Sequence, residues 1–146
     1  MSSNFKYRAG LGSVGAYQVS GVPYLSASSA VIPISSGDPW QVTFPYVTQW
    51  IIIENTKTDA NLRIGFSSLG VKGTSDKAPA ASYFILPSGS VNPAHTTKSR
   101  IRLDVRVKDI FLLSDGTSPA TAQIVAGLTL IPTEELTGTN SNWTGS

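Results

Sequence analysis

The segment SRIRLDVRVKDIFLLS, residues 99–114, limits the fold more than any other stretch of this chain. Ile101, Leu103, Val105 and Val107 alternate with Arg100, Arg102, Asp104, Arg106 and Lys108. Successive side chains of an extended backbone point to opposite sides, so a period of two held from 100 to 108 predicts a strand with one buried and one wet face. DIFLLS continues it without polar interruption. This predicts a second strand, or the same strand passing under full cover.

Further runs repeat the signal. YVTQWIIIENT predicts a strand with Ile51 and Ile53 on one face and Trp50 and Ile52 on the other, covered on both sides or lying at a subunit contact. NLRIGF places Leu62, Ile64 and Phe66 inward and Arg63 outward, and the short TKTDA between the two predicts a hairpin. In TAQIVAGLTLIP, Ala122, Ile124, Ala126, Leu128 and Leu130 share one face. SYFIL, AYQVSGVPYL and WQVTF bring the count to about eight strands. Helix signals are nearly absent, and thirteen glycines and nine prolines punctuate the chain at short intervals. The expected fold is all-β: one domain, an antiparallel sandwich or barrel. Residues 1–14 read as an N-terminal arm, 15–132 as the β-domain and 133–146 as a C-terminal tail. PTEELTG is expected to make one helical turn with Thr133 as its N-cap.

Composition narrows the chemistry. The chain has 146 residues, enough for one domain with a full core, and no cysteine. Disulfides, thiolate metal sites and a cysteine nucleophile are thereby excluded, which fits a reducing compartment. Charged residues make up 14%, well under the roughly 25% of ordinary soluble domains. Such a surface packs readily against neighbours because little charge must be desolvated. No stretch approaches the ~20 apolar residues of a membrane helix, so no membrane span is expected. The N-terminus lacks the apolar core of a signal peptide. Asn142-Trp143-Thr144 has the letters of a glycosylation sequon and is read as chance.

Three features invite a functional reading. Gly10, Gly12 and Gly15 match the dinucleotide fingerprint G-x-G-x-x-G, with Asp38 at a plausible distance for the ribose acid. The fingerprint needs a strand before it and a helix after it, and the flanks MSSNFKYRA and AYQVSGVPYL predict neither. These glycines are therefore read as a hinge, with extended or positive-φ backbone, and no cofactor is expected. His95 is the chain's one histidine. Without a G-x-S-x-G elbow it reads as ordinary loop surface, so no catalytic residue, metal site or small-molecule substrate is expected and the chain is read as a non-enzyme.

Lys98, Arg100, Arg102, Arg106 and Lys108 would form a basic stripe about 25–30 Å long at ~3.3 Å per residue. It reads as a solvated edge or subunit contact rather than a nucleic-acid track, because Asp104 interrupts it and no aromatics interleave for base stacking. Phe5, Tyr7 and Arg8 in the arm, Arg100, Arg102 and Arg106 on the stripe, and Trp143 in the tail are the candidate subunit-interface residues.

GLGSVGAYQVSGVPYL, FPYVTQWIIIENT, RVKDIFLL and AGLTLIPTEELTG together resemble the single-jelly-roll penton proteins that close the fivefold vertices of large icosahedral double-stranded DNA viruses. The similarity runs in order over most of the chain on short phrases. It implies a jelly roll of eight strands in two four-stranded sheets, pentamers, contacts with major and minor capsid proteins, and no catalysis. It also implies a place in the virion, with synthesis and assembly inside the host cell. The chain departs from the family where LPSGSVNPAHTTK stands in place of a more acidic turn, so no partner contact is carried over for that loop. The alternative reading is a carbohydrate-binding or host-attachment module, for which Trp40, Trp50, Tyr46 and Tyr83 would supply the stacking platform.

Overall fold

A computed structural model describes residues 10–18, 21–28, 31–73, 82–92, 95–97 and 99–136, with backbone alone for 90–92 and 95–97. Ten strands appear among them: β1 (Val22–Ala27), β2 (Trp40–Thr43), β3 (Tyr46–Asn55), β4 (Asn61–Gly65), β5 (Tyr83–Leu86), β6 (Ser90–Asn92), β7 (His95–Thr97), β8 (Ser99–Leu103), β9 (Asp109–Asp115) and β10 (Ala122–Pro132). Two short helices, α1 (Val14–Gln18) and α2 (Ser68–Lys72), and one 3-10 turn (Thr133–Glu135) complete the described elements.

Eight strands form two four-stranded antiparallel sheets, ordered β1-β10-β3-β8 and β2-β9-β4-β5, while β6 and β7 make a separate small hairpin. The fold is an all-β sandwich. Its core lies between the sheets, where Ile51, Ile53, Ile124, Ala126 and Leu128 of the first meet Val42, Leu62, Ile64, Ile110 and Leu112 of the second. Alternation put these residues inward, and burying each large aliphatic side chain stabilises the fold by roughly 1.5–3 kcal/mol.

Neighbours in sequence are seldom neighbours in a sheet. β3 and β4 lie in different sheets, which corrects the hairpin expected across TKTDA. Buried Asn55 shapes that corner. Its amide donates to the carbonyls of Ala60 (2.8 Å) and Pro87 (3.2 Å), and its oxygen accepts from the Lys57 N–H (3.0 Å). The apolar faces of β3 and β4 thus look at each other across the core.

The alternating segment 100–108 also departs from a single strand, because β8 ends at Leu103. Gln49 is an extra residue in β3, where the register with β10 slips between Trp50 and Thr48. Beyond that bulge the next turn of chain is held by Thr48: its hydroxyl donates to Val105 O (2.6 Å) and accepts from Val107 N (3.0 Å). The Thr48 hydroxyl thus supplements one backbone bond, Thr48 N–H to Val107 O (3.0 Å), and Val105 and Val107 still face the core although they lie outside a strand. β10 is irregular at the same level. Its inward phase ends at Leu128, Thr129 and Ile131 are buried, and Leu130 is 62% exposed rather than sharing the core face.

Near the N-terminus, Gly15 lies inside α1 rather than in extended or positive-φ backbone, and the positive-φ glycines among the described residues are Gly73 and Gly116, not Gly10 or Gly12. AYQVSGVPYL divides between α1 and β1 instead of forming one strand. Thr133 is the first residue of its 3-10 turn, not the cap, which Pro132 occupies without a side-chain hydrogen bond.

Candidate functional site

The outward faces of the two sheets are finished differently. On the sheet β2-β9-β4-β5, α2 lies across the strands. Val71 packs onto Gly65, where even a methyl group would approach its Cβ to 2.8 Å. Leu113 points outward yet is fully buried. Arg63 locks the helix down: its Nε donates to Asp115 (2.7 Å), Nη1 donates to Lys72 O (3.2 Å), and the guanidinium lies 4.4 Å above the Tyr83 ring. Lys72 pairs with Asp38 at 2.8 Å. That hydrogen bond and the ammonium charge hold the Asp38 carboxyl below its ordinary value. Asp38, at the ribose-acid spacing of the glycine motif, is thus engaged with a lysine 34 residues away.

On the sheet β1-β10-β3-β8, one half is covered by the chain itself. Residues 10–18 cross the end of β3 and β10, where Ala16 seals Val47 and Ile131, with Leu11, Tyr17 and Leu136 around them. The strap is tied by polar contacts. Leu11 N donates to Glu135 (3.0 Å), Leu11 O accepts from Arg106 (3.1 Å) and from the Tyr17 hydroxyl (3.1 Å), and the Gln49 amide donates to Tyr17 O.

No segment among the described residues covers the other half, the open half. Three outward rows cross it: Pro23, Gly127 and Trp50; Leu25, Val125, Ile52 and Arg102; Ala27, Gln123, Glu54 and Arg100. Gly127 is required here, because the Trp50 indole lies flat on it and a Cβ would stand 2.4 Å from the indole nitrogen. Arg102 sits 5.2 Å over the indole and pairs with Asp104 at 3.2 Å. Leu25 rises 77% exposed beside a shallow hollow of about 370 Å³ bordered by Ile52, Glu54, Arg100, Gln123 and Val125.

The candidate interface residues divide accordingly. Arg100 and Arg102 both stand on the open half, whereas Arg106 lies past the end of β8 and holds the strap. The continuous stripe expected from 98 to 108 is therefore split: β8 supplies two of its cations, and Lys108 lies beyond, just before β9. Phe5, Tyr7, Arg8, Lys98 and Trp143 lie outside the described residues. The four aromatics considered as a sugar platform do not share a face. Trp40 packs against the core, Trp50 lies outward on β3, Tyr83 sits beneath Arg63 on the other sheet, and Tyr46 opens β3. His95 begins β7.

The open sheet face escaped sequence reasoning because Leu25, Ile52 and Val125 come from three separate segments. Their alternation with inward residues was the available signal, but it could not tell which strands would stand side by side. Among the described residues no group of three or more His, Cys, Asp or Glu is placed to hold a metal ion, and no helix is long and apolar enough to cross a membrane. Compared with models of known families, with curated proteins and with solved structures, the chain matches none.

Proposed function

We propose that this chain is a structural subunit of an icosahedral virion: a single-jelly-roll penton protein that assembles as a pentamer at the fivefold vertices and contacts major and minor capsid proteins. The observation that carries the reading is the strand order. Setting aside the β6-β7 hairpin, every connection between consecutive strands except β4–β5 crosses from one sheet to the other, so that β1-β10-β3-β8 opposes β2-β9-β4-β5, an order compatible with two interlocked Greek keys. The sequence phrases that resemble the penton family fall on elements of this sandwich, among them β3, β9 and β10. A sheet face left open on a weakly charged molecule suits a protein whose work is contact with neighbours. The reading assigns the chain no catalysis and no cofactor. The charged residues with defined partners fit it: Arg63, Asp115, Lys72 and Asp38 fasten a helix, while Arg106 and Glu135 fasten the strap.

Purified protein tested by mass photometry and negative-stain microscopy, alone and with major capsid protein, is expected to form fivefold rings or to enter vertices. A species that stays monomeric under every assembly condition overturns the reading.

A further inference from the structure

We infer that residues 10–18 and the turn Thr133–Glu135, with Leu136, form a latch that opens as one unit while the sandwich stays folded, so that freeing one piece frees the other. The latch is a property of the single chain and stands or falls apart from the virion reading above. Its two pieces hold each other. Leu11 N donates to the Glu135 carboxylate across 124 residues of sequence (3.0 Å), and Leu136 packs with Leu11 and Tyr17 around Ala16. From the body, Arg106 reaches the strap at Leu11 O and Gln49 reaches it at Tyr17 O. Leu11 is the shared clasp. Its N–H is held by the turn, and its carbonyl by Arg106 and the Tyr17 hydroxyl.

Three features make the closed latch easy to open. α1 is five residues long and contains Gly15, far below the ~12–15 residues at which an isolated helix becomes even marginal in water, so tertiary contact holds it. Ala16 is its buried residue while Val14 is 68% exposed, so closure removes little apolar surface from water. Beneath the strap, Gln49 Oε1 is buried with no hydrogen-bond partner among the described residues, an acceptor that opening returns to water.

The opening also has a limit. Gly21 lies so close on Gly127 that a Cβ there would stand 2.7 Å from the Gly127 Cα, and β1 pairs with β10 from Val22 onward. Movement therefore stops before β1. Val47 and Ile131, which the strap seals, form a cluster separate from the core between the sheets, so baring them leaves that core intact. An element held by so few buried contacts opens at a lower free energy than the whole fold. The coupling is reciprocal: a partner that draws off the strap weakens the hold on the turn by the same factor as a partner of the turn weakens the hold on the strap.

Amide exchange followed residue by residue by NMR on the full chain tests the coupling, because each variant is read at the piece it does not touch. Glu135→Ala removes the acceptor of Leu11 N. It is expected to speed exchange about tenfold at Ala16, whose N–H is bonded to Ser13 O. Arg106→Ala loosens the strap alone, yet is expected to speed exchange to a similar extent at Leu136, whose N–H is bonded to Thr133 O. Ala16→Asp, which sets a charge over Val47 and Ile131, should raise both rates most. Ile53 and Ile124 in the core strands should stay protected in all three. A strap that opens while Leu136 keeps its protection, or the reverse, overturns the latch. Core amides that speed up by the same factor also overturn it, because the strap then opens only with the whole fold. Glu135 and Arg106 are exposed, so their variants decide even where Ala16→Asp does not fold.

Discussion

The two halves of one sheet face make an instructive pair. Both are built on β3 and β10, and both present apolar side chains outward. At the end beyond the Gln49 bulge, Val47 and Ile131 are sealed by Ala16 on a strap tied through Arg106, Gln49 and Glu135. At the other end, Leu25 stands in solvent beside half-buried Ile52 and Val125. Strand chemistry does not distinguish them. What differs is that, among the described residues, residues 10–18 return to cover one half and no segment covers the other.

The comparison is broken most severely at the sealed end. Ile131→Ala should lower the free energy of unfolding by about 2–5 kcal/mol in urea titrations, because it opens a cavity under the strap. Leu25→Ala on the open half should stay within about 0.5 kcal/mol of the parent, as exposed substitutions do. Equal losses at the two sites would abolish the distinction. Next in size is Gly127→Ala, whose methyl group collides with the Trp50 indole. It is expected to cost about 1–3 kcal/mol and to shift tryptophan fluorescence as the ring lifts from the sheet. Arg106→Ala sharpens the contrast more gently. Residues 10–18 should exchange amide hydrogens faster while the core strands keep their protection, with a global loss of about 1 kcal/mol.

The smallest effect belongs to the other sheet's cover. The carboxyl of Asp38 lies below its ordinary value in the folded state because Lys72 binds its charged form. Its small contribution is therefore complete above the unfolded-state pKa and fades as pH falls through the lowered one. NMR titration should find the Asp38 carboxyl returned to its ordinary value in Lys72→Met.

Much of this was legible in the sequence. Alternation in NLRIGF identified Leu62 and Ile64 as core and Arg63 as outward, and Ile51 and Ile53 were placed on one face of their strand. DIFLLS does form a strand separate from the alternating segment before it. Pairing was not legible. TKTDA has a turn's composition whether its strands pair with each other or face each other across a core, and Asn55 decided for the second by bridging to Ala60 and Pro87. The candidate interface was legible only in part: Arg100 and Arg102 do reach an outward face, but Arg106 was separated from them by the bulge at Gln49.

By itself, then, the sequence determined most strands of the two sheets and their inward and outward phase, because both follow from local backbone geometry and the two-residue period, and it failed where α1, the end of β8 and the far end of β10 leave that period. The tertiary structure decided which strands adjoin, where β8 gives way to the Thr48 hydroxyl, and which half of a sheet stays bare. Those outcomes depend on contacts between residues as distant as Leu11 and Arg106 or Leu25 and Val125, and no local pattern encodes the approach of such distant segments.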